Sequence, residues 1–149
     1  MTYEEIYSQF YSKKTDLTFF KKYSKDEAYE LMRTWLHSIV AIPYVRKCFS
    51  TITLDDEILE LTFVLKKSID EDSDNYFVCD ILAQGMVICW MQQKIDKAVS
   101  LATVIGTKEE RTILNNYKNN MARLRELKVQ FRKIIRDYGY VNNGYIGDK

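Results

Sequence analysis

The stretch ILAQGMVICWM, residues 81 to 91, carries no charge and one strongly polar side chain, Gln84. In a chain whose residues are 29% charged, such a run has to be hidden somewhere. A membrane-spanning helix needs about 20 mostly apolar residues. Here Asp80 precedes the run, and Lys94, Asp96 and Lys97 follow it, so it covers only about half a bilayer. The opening MTYEEIYSQF has acids where a secretory leader has basic residues, and no apolar stretch follows. The reading is a soluble chain made in cytoplasm, with no membrane partner. The run is then the middle of a helix buried nearly all round, which requires partners on several sides. Some would come from the same chain and others from neighbouring subunits.

The rest of the chain supports long helices, because one proline, Pro43, and five glycines are its only strong interruptions. Thr2 with Glu5, and Ser24 with Glu27, have the spacing of a capping box. They predict a helix over 3–13, with Tyr3, Ile6, Tyr7 and Phe10 on one face. A second helix from Ser24 to Pro43 carries Leu31, Met32, Trp35, Leu36, Ile39 and Val40. The β-branched stretches 47–54 and 58–65 flank the acidic LDDE and read as a β-hairpin, a helix over 56–67 being the alternative. SIDEDSDNY reads as an acidic loop, with Ser73 or Asp74 capping a third helix over 75–97. Gly85 sits inside that helix, where a small residue lets another backbone approach. Thr107 and Glu110 form a third capping box, opening a last helix over 108–138. Its seam is Ile113, Tyr117, Met121, Leu124, Leu127 or Lys128, Phe131, Ile134 and Tyr138. Residues 139–149, with glycines at 139, 144 and 147, read as an extended tail. The expected fold is mainly α: a bundle of about four helices with a long C-terminal helix, a β-hairpin insertion and that tail. Residues 1–138 form one domain.

Catalytic signatures are missing from the sequence: there is no GxGxxG, no Walker A and no GxSxG. No enzyme activity and no cofactor are expected. His37 is the single histidine and reads as a surface or partly buried structural residue. Asp55, Asp56, Glu57 and Glu60 lack the spacing of a calcium loop and read as a solvated turn. Cys48, Cys79 and Cys89 are odd in number, without CxxC spacing, and read as three reduced thiols.

Charge is unevenly spread although the net charge is only +1. Residues 55–74 hold eight acids and two lysines; residues 108–137 hold nine basic residues and four acids. Arg111, Lys118, Arg125 and Arg132 recur every seven residues, and Arg136 extends the line. At 100° per residue they form a stripe beside the apolar seam. Such a stripe suits a solvated face, a neighbouring subunit's acidic region, or nucleic acid. Tyr138, Tyr140 and Tyr145, with Val141 and Ile146, concentrate interface-prone side chains at the C-terminus.

Two blocks of sequence, DILAQGMVICWMQQKI and GTKEE…LNNYKNNMARLRELKVQFRKIIRDYGY, resemble head-to-tail connector (adaptor) proteins of long-tailed bacteriophages. The matching residues are Asp80, Ile81, Leu82, Ala83, Met86, Val87 and Trp90, then a GTK-type turn, then Asn120 (or Asn119), Leu124 and Leu127. YEEIYSQFYSK and LMRTWLHSIV also fit, so the resemblance covers most of the chain in order. The chain departs at Gln84–Gly85, where bulkier residues are expected. The resemblance implies a helical virion subunit in the neck, assembled in the host cytoplasm as a ring, commonly a 12-mer, beneath the portal. Its partners would be the portal protein, neighbouring copies, the next neck, stopper or tail protein, and genomic DNA passing through the lumen. Tyr138, Tyr140, Val141, Tyr145 and Ile146 would then meet the portal, and the basic stripe would face the channel or another subunit. The alternative is a small helical nucleic-acid-binding or regulatory protein using that stripe.

Overall fold

The computed structural model describes residues 1–13, 23–102 and 107–141. Both early capping boxes form. The Thr2 hydroxyl accepts from the Glu5 amide at 3.3 Å and Glu5 accepts from the Thr2 amide at 2.6 Å, opening α1 at Tyr3–Ser12. Ser24 and Glu27 do the same at 3.2 and 3.0 Å for α2, Lys25–Ala41. Ile42 is extended (φ −63°, ψ 126°), the conformation a following proline favours, so α2 stops. Pro43 then opens the single turn α3, Pro43–Arg46, because the first helical position does not use its missing N–H.

The hairpin is β1, Phe49–Asp55, against β2, Glu60–Leu65. They are antiparallel with Leu54 opposite Leu61 and Ile52 opposite Phe63, and the register slips between Phe49 and Thr51. Along β2 the burial alternates, with Leu61 and Leu65 toward the helices and Thr62 and Val64 outward. The outer edge of β2 is partly covered. The Tyr3 amide donates to the Leu59 carbonyl at 2.9 Å, and the Leu61 amide to the Met1 carbonyl at 2.7 Å.

The two long helices are α4, Glu71–Ala102, and α5, Thr107–Val141, each about 50 Å long at 1.5 Å per residue. Helix α4 starts earlier than the sequence suggested, and part of the expected loop is helical. The cap is Asp70, not Ser73 or Asp74: its carboxylate accepts from the Ser73 amide at 2.7 Å and the Ser73 hydroxyl at 2.9 Å. These bonds hold its carboxyl below the usual range. Glu71, Asp72 and Asp74 then sit in the first turn, where the helix dipole favours acids. At the far end α5 runs through Gly139 to Val141, past the boundary expected at 138. Residues 142–149 and the connection at 103–106 lie outside the described residues, and so does the side chain of Glu110 in the third capping box.

Helix α4 is the centre of the molecule, with α1, α2 and α5 packed against it. Every residue from Ile81 to Val87 is buried, as are Trp90, Met91 and Ile95, while Ile88 is half-buried. The apolar run is thus covered by helices of its own chain. At Gly85 a side chain of α2 fills the space that a larger residue would take: a Cβ built there would stand 2.7 Å from Cγ2 of Ile39. What approaches is a side chain, not the backbone the sequence suggested. On α5 the buried line is Leu124, Leu127, Phe131 and Ile135, with Ile134 only half-buried. The expected seam chose Ile134. A straight helix has 3.6 residues per turn, so a strict heptad drifts and the buried position steps forward by one residue. Leu127 is buried and Lys128 exposed, which resolves that alternative. The buried apolar side chains of α4 and α5 belong to one hydrophobic cluster, with Ile88 and Ile134 packed against it.

Candidate partner-binding surfaces

With the apolar face of α5 turned to the core, its stripe of cations points outward. Lys118, Arg125, Arg132 and Arg136 are all exposed. Arg132 also has an intramolecular role, its guanidinium lying 5.7 Å from the centre of the Tyr44 ring. Tyr44 in turn meets Phe131 edge-on at 6.0 Å, so this cation is tied to the core through one aromatic ring. Arg123, outside the stripe, pairs with Glu126 at 3.3 Å. Among the described residues no carboxylate pairs with Lys118, Arg125 or Arg136. The side chain of Arg111 lies outside the described residues.

Several acids of residues 55–74 are used locally. Asp55 accepts from the amides of Glu57 and Ile58 at 3.0 and 3.3 Å, shaping the hairpin turn. Asp70 caps α4. Asp74 accepts from the Ile69 amide at 3.0 Å and from the Ser68 hydroxyl. Among the described residues no ion pair joins the stripe to these acids.

Tyr138 ties the last turns of α5 down. Its hydroxyl donates to the Lys67 carbonyl at 2.9 Å, and its ring stacks on Phe77 at 4.5 Å and 16°. Burial pushes the phenol pKa up. Both ends of this side chain are engaged within the subunit, which makes it an anchor of α5. Tyr140 and Val141 end the helix, their side chains outside the described residues, as are Tyr145 and Ile146.

The histidine has a partner that nothing local in the sequence signals. Nε2 of His37 on α2 lies 2.9 and 3.0 Å from the two carboxylate oxygens of Asp56 in the hairpin turn. The same carboxylate accepts from the buried Tyr3 hydroxyl of α1 at 2.6 Å. Hydrogen bonds from Tyr3 and then His37 hold the Asp56 carboxyl below its ordinary range. Burial and Asp56 push the Tyr3 phenol up. The turn read as solvated thus has one acid that joins α1, α2 and the hairpin. Through these bonds the Asp56 carboxylate latches the hairpin turn to α1 and α2.

The hairpin tip beyond that latch is apolar. Ile58 and Leu59 are 63% and 49% exposed, and Leu59 takes a left-handed φ of 55°. A leucine pays for that conformation where asparagine or glycine would not, and it is held there by the bond from Tyr3 to its carbonyl. The cysteines are unpaired. Cys48 is buried, Cys79 and Cys89 are half-buried, and burial pushes each thiol up, Cys89 to about 11. Low thiolate content makes them poor nucleophiles. Among the described residues no helix is long and apolar enough to cross a membrane, and no cluster of three or more His, Cys, Asp or Glu is placed to hold a metal.

Together these features define a mainly helical bundle with a hairpin latched to one side. Compared with known proteins, the chain matches no family model, no curated protein and no solved structure.

Proposed function

We propose that this chain is a structural virion protein, a head-to-tail connector of a long-tailed bacteriophage, forming a ring below the portal. The ring extends the DNA channel and docks the tail or next neck protein. The observation that carries the reading is the outward face of α5. Lys118, Arg125 and Arg136 are exposed and unpaired with any described carboxylate on a helix whose other face is the core. A rigid helix presenting cations at fixed spacing suits a subunit contact or a DNA-lined lumen. The exposed Ile58 and Leu59 add an apolar contact that a lone subunit leaves in water. The resemblance of the sequence blocks quoted above supplies the rest: neck location, portal contact through the C-terminal residues, and assembly in the host cytoplasm.

The test is reconstitution. The purified chain is mixed with portal-bearing heads and the neck imaged by cryo-electron microscopy. A ring of density under the portal with twelve or a similar number of copies bears the reading out. Failure to attach, with portal intact, overturns it. Removing residues 142–149 should leave the helical signal unchanged and abolish attachment.

The same stripe favours a second reading, a small nucleic-acid-binding protein. Free subunit would then bind duplex DNA tightly, with affinity falling steeply as salt rises. The connector reading expects only weak binding by the isolated subunit.

A further inference from the structure

We propose that the edge of β2 at Phe63 docks an extended segment of another protein as an added antiparallel strand, one in which an apolar residue follows a lysine or arginine by two positions. The edge is already used at one end. Leu61 exchanges hydrogen bonds with Met1, its amide to the Met1 carbonyl at 2.7 Å and the Met1 amino nitrogen to its carbonyl at 3.1 Å. In an antiparallel ladder every second residue turns its peptide groups the same way. The N–H and C=O of Phe63 therefore face the same side as those of Leu61, and among the described residues no backbone partner meets them. An open groove of about 470 Å³ lies there, lined by Leu61, Phe63 and Leu65 of β2 and by Ser68, Glu71 and Asp74 at the start of α4. Val64, also in its lining, is 55% exposed, and Ile69 and Tyr76, each next in sequence to a residue of the groove, are 63% and 72% exposed. An unpaired edge beside an apolar groove is a template for strand addition.

Charge names the occupant. Glu71 and Asp74 both line the groove, and Asp70 and Asp72 adjoin them in sequence. Among the described residues neither Glu71 nor Asp74 is ion-paired, and Glu71 is exposed. The Met1 ammonium, the one cation of the lining, sits at the opposite end and is spent on the Leu61 carbonyl. The groove is thus negative where β2 passes into α4, and a basic side chain suits that end. The register follows from the pleat. A residue paired with Phe63 puts its side chain on the same face as Leu61, Phe63 and Leu65, so it is apolar. The residue before it lies on the outer face beside Val64. The one before that returns to the inner face at the acidic end, where lysine or arginine meets Glu71. Met1 stops the added strand on the other side, so the recognised segment is short. The proposal stands on this edge and its groove and does not rest on the connector reading.

The test is a titration of the full chain with the capped pentapeptide KVVTG, read by amide chemical shifts and hydrogen exchange. On saturation the Phe63 amide should exchange at least about tenfold more slowly, with the amides of 81–87 unchanged. Methylating the nitrogen of the second valine removes the donor to the Phe63 carbonyl and should abolish binding. Glu71→Lys should weaken binding about fivefold, as loss of an exposed ion pair with added repulsion does. A peptide that leaves Phe63 unchanged, binds equally well when N-methylated, or binds Glu71→Lys as tightly overturns the proposal. A Phe63 amide already protected before peptide is added shows the edge filled by a second copy or by the chain itself, and overturns it too.

Discussion

A Cβ added to Gly85 would lie within 2.8 Å of three carbons of Ile39, so Ile39 of α2 seats against α4 there because residue 85 has no side chain. Gly85→Ala should therefore destabilise the fold, although alanine favours a helix by about 1 kcal/mol over glycine. Overpacking costs about 1–3 kcal/mol, and because Ile39 is 2% exposed with nowhere to move, the overpacking should win. Chemical denaturation of Gly85→Ala, Ile39→Ala and the double variant checks this. The double variant should lose less than the sum of the two; simple additivity would mean the two residues are not in conflict.

Asp56 should make part of the stability pH-dependent. Its folded pKa is lowered by Tyr3 and His37. The stabilisation is thus fully present above the unfolded carboxylate value, about 3.9, and is lost as pH falls through the lower folded value. Asp56→Asn should cost about 1 kcal/mol or less at pH 7, because the side chain is 41% exposed and water screens it. The gap between variant and parent should narrow in melts at pH 3. A gap that is constant from pH 7 to pH 3 would show that the carboxylate charge plays no part.

The stripe should divide into two kinds of cation. Arg132→Ala removes a guanidinium from the Tyr44 ring and should cost about 0.5–1 kcal/mol. Lys118→Glu combined with Arg125→Glu should stay within about 0.5 kcal/mol of the parent, as exposed side chains without ion-pair partners do. Thermal melts of the purified variants separate the two. If the charge reversal unfolds the chain, α5 depends on those cations in a way the geometry does not show.

Trp90→Ala should cost about 3–5 kcal/mol, since the indole is 8% exposed within the α4 core and carries Lys94 over its ring at 5.2 Å. A urea titration giving less than about 1 kcal/mol would place Trp90 outside the cooperative core.

Much of this molecule is decided within a few residues of chain. A hydroxyl three residues before a glutamate closes a cap, so Thr2 with Glu5 and Ser24 with Glu27 set where α1 and α2 begin whatever surrounds them. Pro43 restricts Ile42 and ends α2 for an equally local reason. The uncharged run 81–91 had to be enclosed, because leaving it in water costs more than any surface interaction returns. Periodicity could show the hairpin and the buried face of α5, but not the one-residue shift from Ile134 to Ile135, which depends on how a straight helix meets its neighbour.

What lay beyond the sequence joins distant residues. Asp56 meets His37 across 19 positions and Tyr3 across 53, and Tyr138 meets Lys67 across 71. In LDDE two adjacent aspartates look alike, yet Asp55 turns inward to its own backbone and Asp56 reaches two helices. Sequence patterns encode which face of an element is apolar, because burial is non-directional and tolerant. Hydrogen bonds demand partners within about 3 Å, and only the packed arrangement of α1, α2, α4 and the hairpin brings those atoms together.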